Sequence, residues 1–574
     1  MHTLLYLALF IQATQQIQSA DAAFRAGYAA MAQGDLAHAH TEFARVVRLT
    51  PRVAAGHSAY GAVLLEEGSL AAAVLELEQA HRLDAKDETA TLNLATAYGR
   101  QQRYAEAITL FRRLRPETSL PPDASLAYAT ALASTGDLAG ATKQLRQAIA
   151  AGPQDAAALH DTLGAVFAQQ RQYGEAQAEF ERALALDAGW ASAHLHLGAL
   201  YLLQQRLEPA IAELAAAASL APNDLQTSLQ FGRAQTAARQ DDAAVATLTH
   251  AHELAPASPE AAYALALALE NAGKSKEAIP LFAAAAVAKP GDSGILTNYA
   301  LALVQTGDAK QAVTLYERVL KLDSKSPVLR EDLGVAYLQQ SDLDHAISQF
   351  QAGLALPDEG APLTAELHYD LGLAWKLKDK LPDAIAEFER AQKADPALPD
   401  PPYTLGVLYM QTGKFTEAAA QMEQATRLRS DNGEAWSLLG NIYKELNEPE
   451  KAVPALKRAI DLLPAQPSPH ITLASILAQQ GDRESAAVER KKGAELSRIA
   501  VSRQRADFAL NSGATLLKEG KIIEAVTQLQ NAATADPGYA APHRVLAEAL
   551  VRQGNVAEAA LERQRAEVLD KAAQ

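Results

Sequence analysis

The stretch GEAWSLLGNIYKELNEPEKAVPALKRAIDLLPAQ, from Gly433 to Gln466, carries the organisation of the whole chain. With Gly433 as position 1, Trp436, Leu439, Gly440 and Tyr443 fall at positions 4, 7, 8 and 11, one stripe of a helix. Asn447-Glu448-Pro449 breaks the stripe. Ala452, Leu456 and Ala459, at positions 20, 24 and 27, form a second stripe, which Pro464 at position 32 stops. The spacing predicts two short antiparallel helices. Gly440 and Ala452 are small, so the two backbones can approach closely, because side-chain bulk sets the distance between helix axes. Ala459 is small so that the first helix of a following unit can settle against the second.

The same positions recur outward in both directions. Ala39, Ala73, Ala107, Ala141, Ala176, Ala210, Ala244, Ala278, Ala312, Ala346, Ala384, Ala418, Ala452, Ala486, Ala525 and Ala559 are one position seen sixteen times, mostly 34 residues apart. Twelve residues before each stands Gly in ten repeats, such as Gly27 and Gly198, and Ala in six, such as Ala95 and Ala266. A unit of this size cannot bury its apolar stripe alone, so a sustained period means stacked units sharing one continuous core. The period slips by one residue before Gly164, by four before Gly372 across Pro357–Pro362, and by five before Gly513. These insertions fall between units, where a loop or helix can lengthen. They give expected boundaries at 23–356, 363–499 and 500–574, with the Pro/Gly-rich insertion as a kink and the one near 500, which has no Pro, as longer helices.

Trp436, Leu439, Gly440, Tyr443, Ala452, Leu456, Ala459 and Pro464 resemble the tetratricopeptide repeat motif, which reads Trp, Leu, Gly, Tyr, Ala, Phe, Ala, Pro in that order. Leu456 replaces the Phe, which other repeats supply as Phe43, Phe111, Phe180, Phe282, Phe350 and Phe388. The resemblance runs from about residue 20 to the C-terminus. It implies an all-α, right-handed α-solenoid of about 16 helix-turn-helix repeats, hence about 32 helices, and a recognition scaffold whose partners are proteins or peptides.

Composition narrows the function further. Lys+Arg number 52 against Asp+Glu 68, a net charge of −16, which argues against nonspecific nucleic-acid binding. There is no Cys, so disulfides and thiolate metal sites are excluded. No GxxxxGK[ST], GxSxG or HExxH motif is present. Gly273-Lys274-Ser275 ends like a phosphate loop, but Ala268 stands where the first Gly belongs, and the segment reads as a turn between helices. His38/His40, His194/His196 and His250/His252 are two apart, about 200° around a helix, so neither pair member helps the other chelate a metal. They read as solvated helix histidines. The expectation is a protein with no catalytic residues, cofactor or metal.

At the N-terminus, Leu4–Ile11 is an apolar run followed by a polar stretch and Ala20-Asp21-Ala22. That order resembles a secretory signal peptide, although Met1-His2-Thr3 lacks a basic residue; the expectation is cleavage within 1–22 and a periplasmic or secreted protein. The competing expectation is a short apolar helix capping the first repeat in a cytoplasmic protein. The run is too short for a good transmembrane helix. Near 500, Arg490, Lys491, Lys492, Arg498, Arg503 and Arg505 form the most basic stretch. An acidic partner or anionic lipid surface would suit it, but Glu489 and Glu495 interrupt the charge, and a long solvated helix is the plainer expectation.

A partner belongs on the side of each first helix away from its packing stripe, at positions 2, 5, 6, 9 and 13. In the resembled family this side lines the concave groove. Members that grip a C-terminal carboxylate use Lys and Asn at positions 5 and 9; no repeat here has that pair, and the thirteenth has Ser437 and Asn441. A ladder of Asn at position 6 is echoed only by Asn93, Asn298 and Asn511. In repeats eight to thirteen these positions hold Glu260, Glu331, Asp332, Glu366, Asp370, Asp400, Glu434 and Glu445, with Tyr263, Tyr369 and Tyr403 at position 5, and no Lys or Arg. Acidic residues beside tyrosines suit a basic or aromatic segment. The helix dipole alone accounts for acids at position 2, namely Glu260, Glu366, Asp400 and Glu434. The expected function is a non-catalytic interaction scaffold. A solenoid that stacks end to end, or an accessory subunit of a bacterial envelope, pilus or export machine, is the alternative.

Overall fold

The computed structural model describes residues 2–115, 118–152, 156–357 and 360–573. Among them are 31 α-helices and no strand. Two helices per repeat would give 32. The second helix of repeat fourteen and the first of repeat fifteen are one continuous helix, Arg483–Lys518, which removes one. The chain divides into two compact units, Met1–Thr306 and Gly307–Gln574. Within each unit, every helix packs on its sequence neighbours, and first helices also touch the first helix of the next repeat.

The small residues at positions 8 and 20 make this packing. A Cβ placed on Gly440 would lie 2.5 Å from Leu456 Cγ, and one on Gly372 would lie 2.6 Å from Phe388 Cε1. The position-24 side chain therefore fills the space that the glycine vacates. All sixteen position-20 alanines are buried, as are the position-24 rings of Phe43, Phe180, Phe282, Phe350 and Phe388. Packing continues across the Pro357–Pro362 insertion: Phe350 before it and Leu367 and Leu371 after it share one buried cluster. Asp358 and Glu359 lie outside the described residues.

The turn inside each repeat has one requirement. Position 15 is left-handed in all sixteen repeats, at φ between +58° and +91°. Glycine supplies it in nine, among them Gly34, Gly413 and Gly554; Gln102, Arg171, Gln205, Arg239, Ser341, Asp379 and Asn447 adopt it at a steric cost. Gly273 is one of these turn glycines, and Ser275 begins the next helix, so Gly273-Lys274-Ser275 is the turn its sequence implies.

Most of the repeat histidines have a structural task, which corrects the expectation of solvated side chains. At position 4, where the motif has Trp, six repeats carry His, and each Nδ1 meets a position-23 glutamate on the second helix. The pairs are His57–Glu76, His160–Glu179, His194–Glu213, His368–Glu387, His470–Glu489 and His543–Glu562, at 2.5–2.7 Å. They clamp the two helices of one repeat. His196 Nδ1 instead reaches Asp161 of the preceding repeat at 2.7 Å. A second device links successive repeats: the position-11 hydroxyls of Tyr98, Tyr337, Tyr409 and Tyr443 donate to Glu78, Glu317, Glu389 and Glu423 of the repeat before. Gln235 stands at the tyrosine position of repeat seven, but repeat six has Ala215 in place of the glutamate. Its Oε1 is buried without a partner.

The N-terminal helix runs unbroken from His2 to Ala32. The side chains of Leu4–Ile11 lie outside the described residues. Further along, Gln16 Nε2 donates to the Leu49 carbonyl at 2.7 Å, and Arg45 donates to Ser19 Oγ at 3.0 Å. Ala20 and Ala23 are buried. Among the described residues, no helix is long and apolar enough to cross a membrane.

Candidate partner-binding groove

The candidate residues fall in both units. In the first, Tyr263 and Asn298 are bound to each other: Asn298 Nδ2 donates to the Tyr263 hydroxyl at 2.8 Å and to the Gly294 carbonyl at 2.9 Å. The Tyr263 ring lies against Phe282. This pair joins two successive repeats and spends its polar atoms internally.

The second unit holds the rest. Glu331 and Asp332 stand on helix Pro327–Gln339; Glu366, Tyr369 and Asp370 stand on Ala361–Leu377, the first helix of the next repeat. Burial and the neighbouring charges of Asp370, Glu366 and Asp332 push the Glu331 carboxyl up to about 8. Burial pushes Asp332 up to about 6. Burial, with Glu366 close by, pushes Asp370 up to about 7. Tyr316, wholly buried, is raised by desolvation and by Asp332. Among the described residues, the side chains of Glu331, Asp332, Glu366 and Asp370 have no cation within ion-pair distance and no hydrogen-bond partner. Half-buried carboxylates in that condition are costly as anions, and they are relieved by a proton or by an incoming cation.

The outer candidates differ. Asp400 lies 3.7 Å from Arg429, and Glu445 lies 3.6 Å from Lys444, so both have a cation at hand. Tyr369 meets Thr404 Oγ1 at 3.3 Å and packs on Phe388. Tyr403, Glu434, Ser437 and Asn441 line a cleft of about 300 Å³. Glu260, Asp400 and Glu434 occupy first turns, where the dipole suffices to explain them. Glu366 does not: its helix begins at Ala361, so the acid lies beyond the first turn, and the dipole account fails for it. The structure thus gathers Glu331, Asp332, Glu366 and Asp370 and leaves Tyr263, Asn298 and Glu445 apart from them. Among the described residues, no group of three or more His, Asp and Glu is placed to hold a metal ion.

A stack of paired helices held by position-8 and position-20 contacts, with one face of the first helices free of that packing, defines a repeat scaffold of the tetratricopeptide class. Tetratricopeptide-repeat profiles match residues 24–88, 92–156, 162–224, 229–293, 298–361, 331–399 and 403–467, and a second such profile matches 516–565. The chain belongs to the tetratricopeptide repeat family. Among solved structures it is similar to a chain of the APC/C hetero-tetramer Cut9-Hcn1, at 14% identity over 80% of this chain and 96% of that one, with a TM-score of 0.36. It is also similar to YrrB, described as a TPR protein with an unusual peptide-binding site, at 22% identity over 33% of this chain and 95% of that one, TM-score 0.27. A third is the C-terminal part of a TPR repeat-containing protein from Cytophaga hutchinsonii, at 17% identity over 44% and 99%, TM-score 0.32. No curated protein sequence matches the chain.

Proposed function

We propose that this protein is a non-catalytic interaction scaffold that takes a basic protein segment along the acidic side of repeats ten and eleven. The observation that supports this most is the gathering of Glu331, Asp332, Glu366 and Asp370 without a cation. A lysine or arginine entering there supplies the missing charge and offsets desolvation already incurred in folding. Tyr369 and Tyr403, on the same side of the next two repeats, give an arriving chain aromatic surface. Affinity capture with the full chain, followed by mass spectrometry, tests the proposal. Partners held by wild type, released by salt and lost with E331K/D332K/D370K support it. Partners held equally by that variant contradict it.

Export is part of the same proposal and rests on the order of apolar run, polar stretch and Ala20-Asp21-Ala22. The capping alternative draws support from Gln16 and Ser19, whose bonds to the second helix would be lost on cleavage after Ala20. The mass of the native protein distinguishes them: a start between Asp21 and Phe24 supports export, and a retained Met1 supports the cap.

A further inference from the structure

The helix Arg483–Lys518 carries a face that no repeat covers. Its first half is fixed by Ala486, Gly493 and Leu496, all buried. A Cβ on Gly493 would lie 2.8 Å from Ile471 Cγ1, so the helix is pressed onto its neighbour Pro467–Gln479 there. Its second half is fixed by Ala506, Ala509, Gly513 and Leu517. The buried side changes between the halves, and one stripe stays outside throughout. Along it Ala487, Ala494, Val501 and Phe508 alternate with Lys491, Arg498 and Arg505, and all seven are exposed. The steps are four and three residues in strict alternation, which keeps the stripe on one side of a helix over about 32 Å.

The carboxylates that interrupt this stretch in sequence do not interrupt it in space. Glu489 is turned to His470 Nδ1 at 2.5 Å, Asp507 to Tyr539, and Glu495 to Lys492 at 3.7 Å. Lys491, Arg498 and Arg505 have no ion pair among the described residues, whereas Arg503, off the stripe, is spent on Asp536 at 2.5 Å. Phe508, at 80% exposed, is far more open than any of the ring residues that build the repeats. In a chain of net charge −16, three uncompensated cations aligned with an exposed aromatic form a local exception.

We propose that this stripe docks an acidic amphipathic helix of a partner protein, one with apolar residues and carboxylates alternating at the same three- and four-residue steps. That step is the one by which two helices interlock side by side. Charge complementarity sets the sign of the partner, and Val501 and Phe508 give the contact its apolar centre. A membrane surface fits less well, because a helix lying in lipid needs a broad apolar face, and this one offers two alanines, a valine and a phenylalanine.

The probe is a synthetic 21-residue helical peptide with Leu and Glu at those steps, followed by fluorescence anisotropy on the full chain. The expected result is salt-sensitive binding that falls about tenfold or more in K491E/R498E/R505E and several-fold in Phe508→Ala. These side chains are solvent-exposed, and circular dichroism confirms the fold of each variant. Equal binding by wild type and both variants overturns the proposal, as does equal binding of a scrambled peptide of the same composition. Absence of peptide binding alongside stripe-dependent sedimentation with phosphatidylserine vesicles would assign the stripe to a membrane instead. Self-association lost in the triple variant, with no peptide binding, would make the occupant a second copy.

Discussion

At the scale of a residue, distance between helices is decided by single methyl groups. Ala452 is fully buried where the second helix of repeat thirteen meets the first, and Gly440 has no room for a Cβ beside Leu456. Ala452→Leu should therefore overpack this contact and cost about 1–3 kcal/mol, read as a lower urea midpoint with an unchanged slope. An unchanged midpoint would mean that the register is misplaced. This contact was legible in the sequence because it depends only on size, and size recurs every 34 residues. The histidine–glutamate clamps were not read from it. Each needs two residues 19 apart on two different helices, and it emerges only when His at position 4 is seen as standing in the place of Trp. Reading neighbouring histidines as pairs, such as His194 with His196, obscured that spacing. The two in fact go to different partners, Glu213 and Asp161.

At the scale of an element, the turn between helices and the fused helix carry the argument. Arg171 and Gln205 hold a left-handed conformation that a side chain disfavours by about 1 kcal/mol, partly offset by the greater entropy glycine loses on folding. Arg171→Gly and Gln205→Gly should each stabilise by about 0.5 kcal/mol, while Gly413→Ala should destabilise by about 1 kcal/mol. Thermal unfolding of the three variants checks the signs; a fall for both glycine substitutions would show that the arginine and glutamine side chains contribute more than the strain they impose. The lengthened helix near 500 was foreseeable from an insertion without Pro. Its buried face was not, because a helix that serves two repeats shifts its apolar stripe midway, and no single period describes it. Likewise Glu366 reads as a helix-start acid by repeat position, and only the earlier start at Ala361 removes that explanation.

At the scale of the whole molecule, the acidic side of the second unit couples partner binding to protons. Glu331, Asp332 and Asp370 keep protons in the native state at pH values where the unfolded chain has lost them. The native state binds more protons, so stability falls as pH rises from the ordinary carboxylate range near 4 towards 8. Urea midpoints across that range should decline, and the decline should flatten in E331Q/D332N/D370N, whose side chains resemble the protonated forms. An identical pH profile in that variant would show that other groups set it. The acidic strip itself was legible as a run of charges at groove positions. Which of its members lack a cation was not, since Arg429 and Lys444 stand at positions that the groove pattern does not include.

The most direct measurement is calorimetric titration of the full chain with a synthetic Lys/Arg-rich peptide at pH 7, in two buffers of different ionisation enthalpy. A cation seated among Glu331, Asp332, Glu366 and Asp370 must drive their remaining protons off, so binding should release protons and weaken with salt. Both the release and most of the affinity should vanish in E331Q/D332N/D370N and persist in D21N/E66Q/D123N, which alters acids of the first unit. Binding without proton release, or equal loss of affinity in the two triple variants, would contradict the assignment of this strip as the partner site.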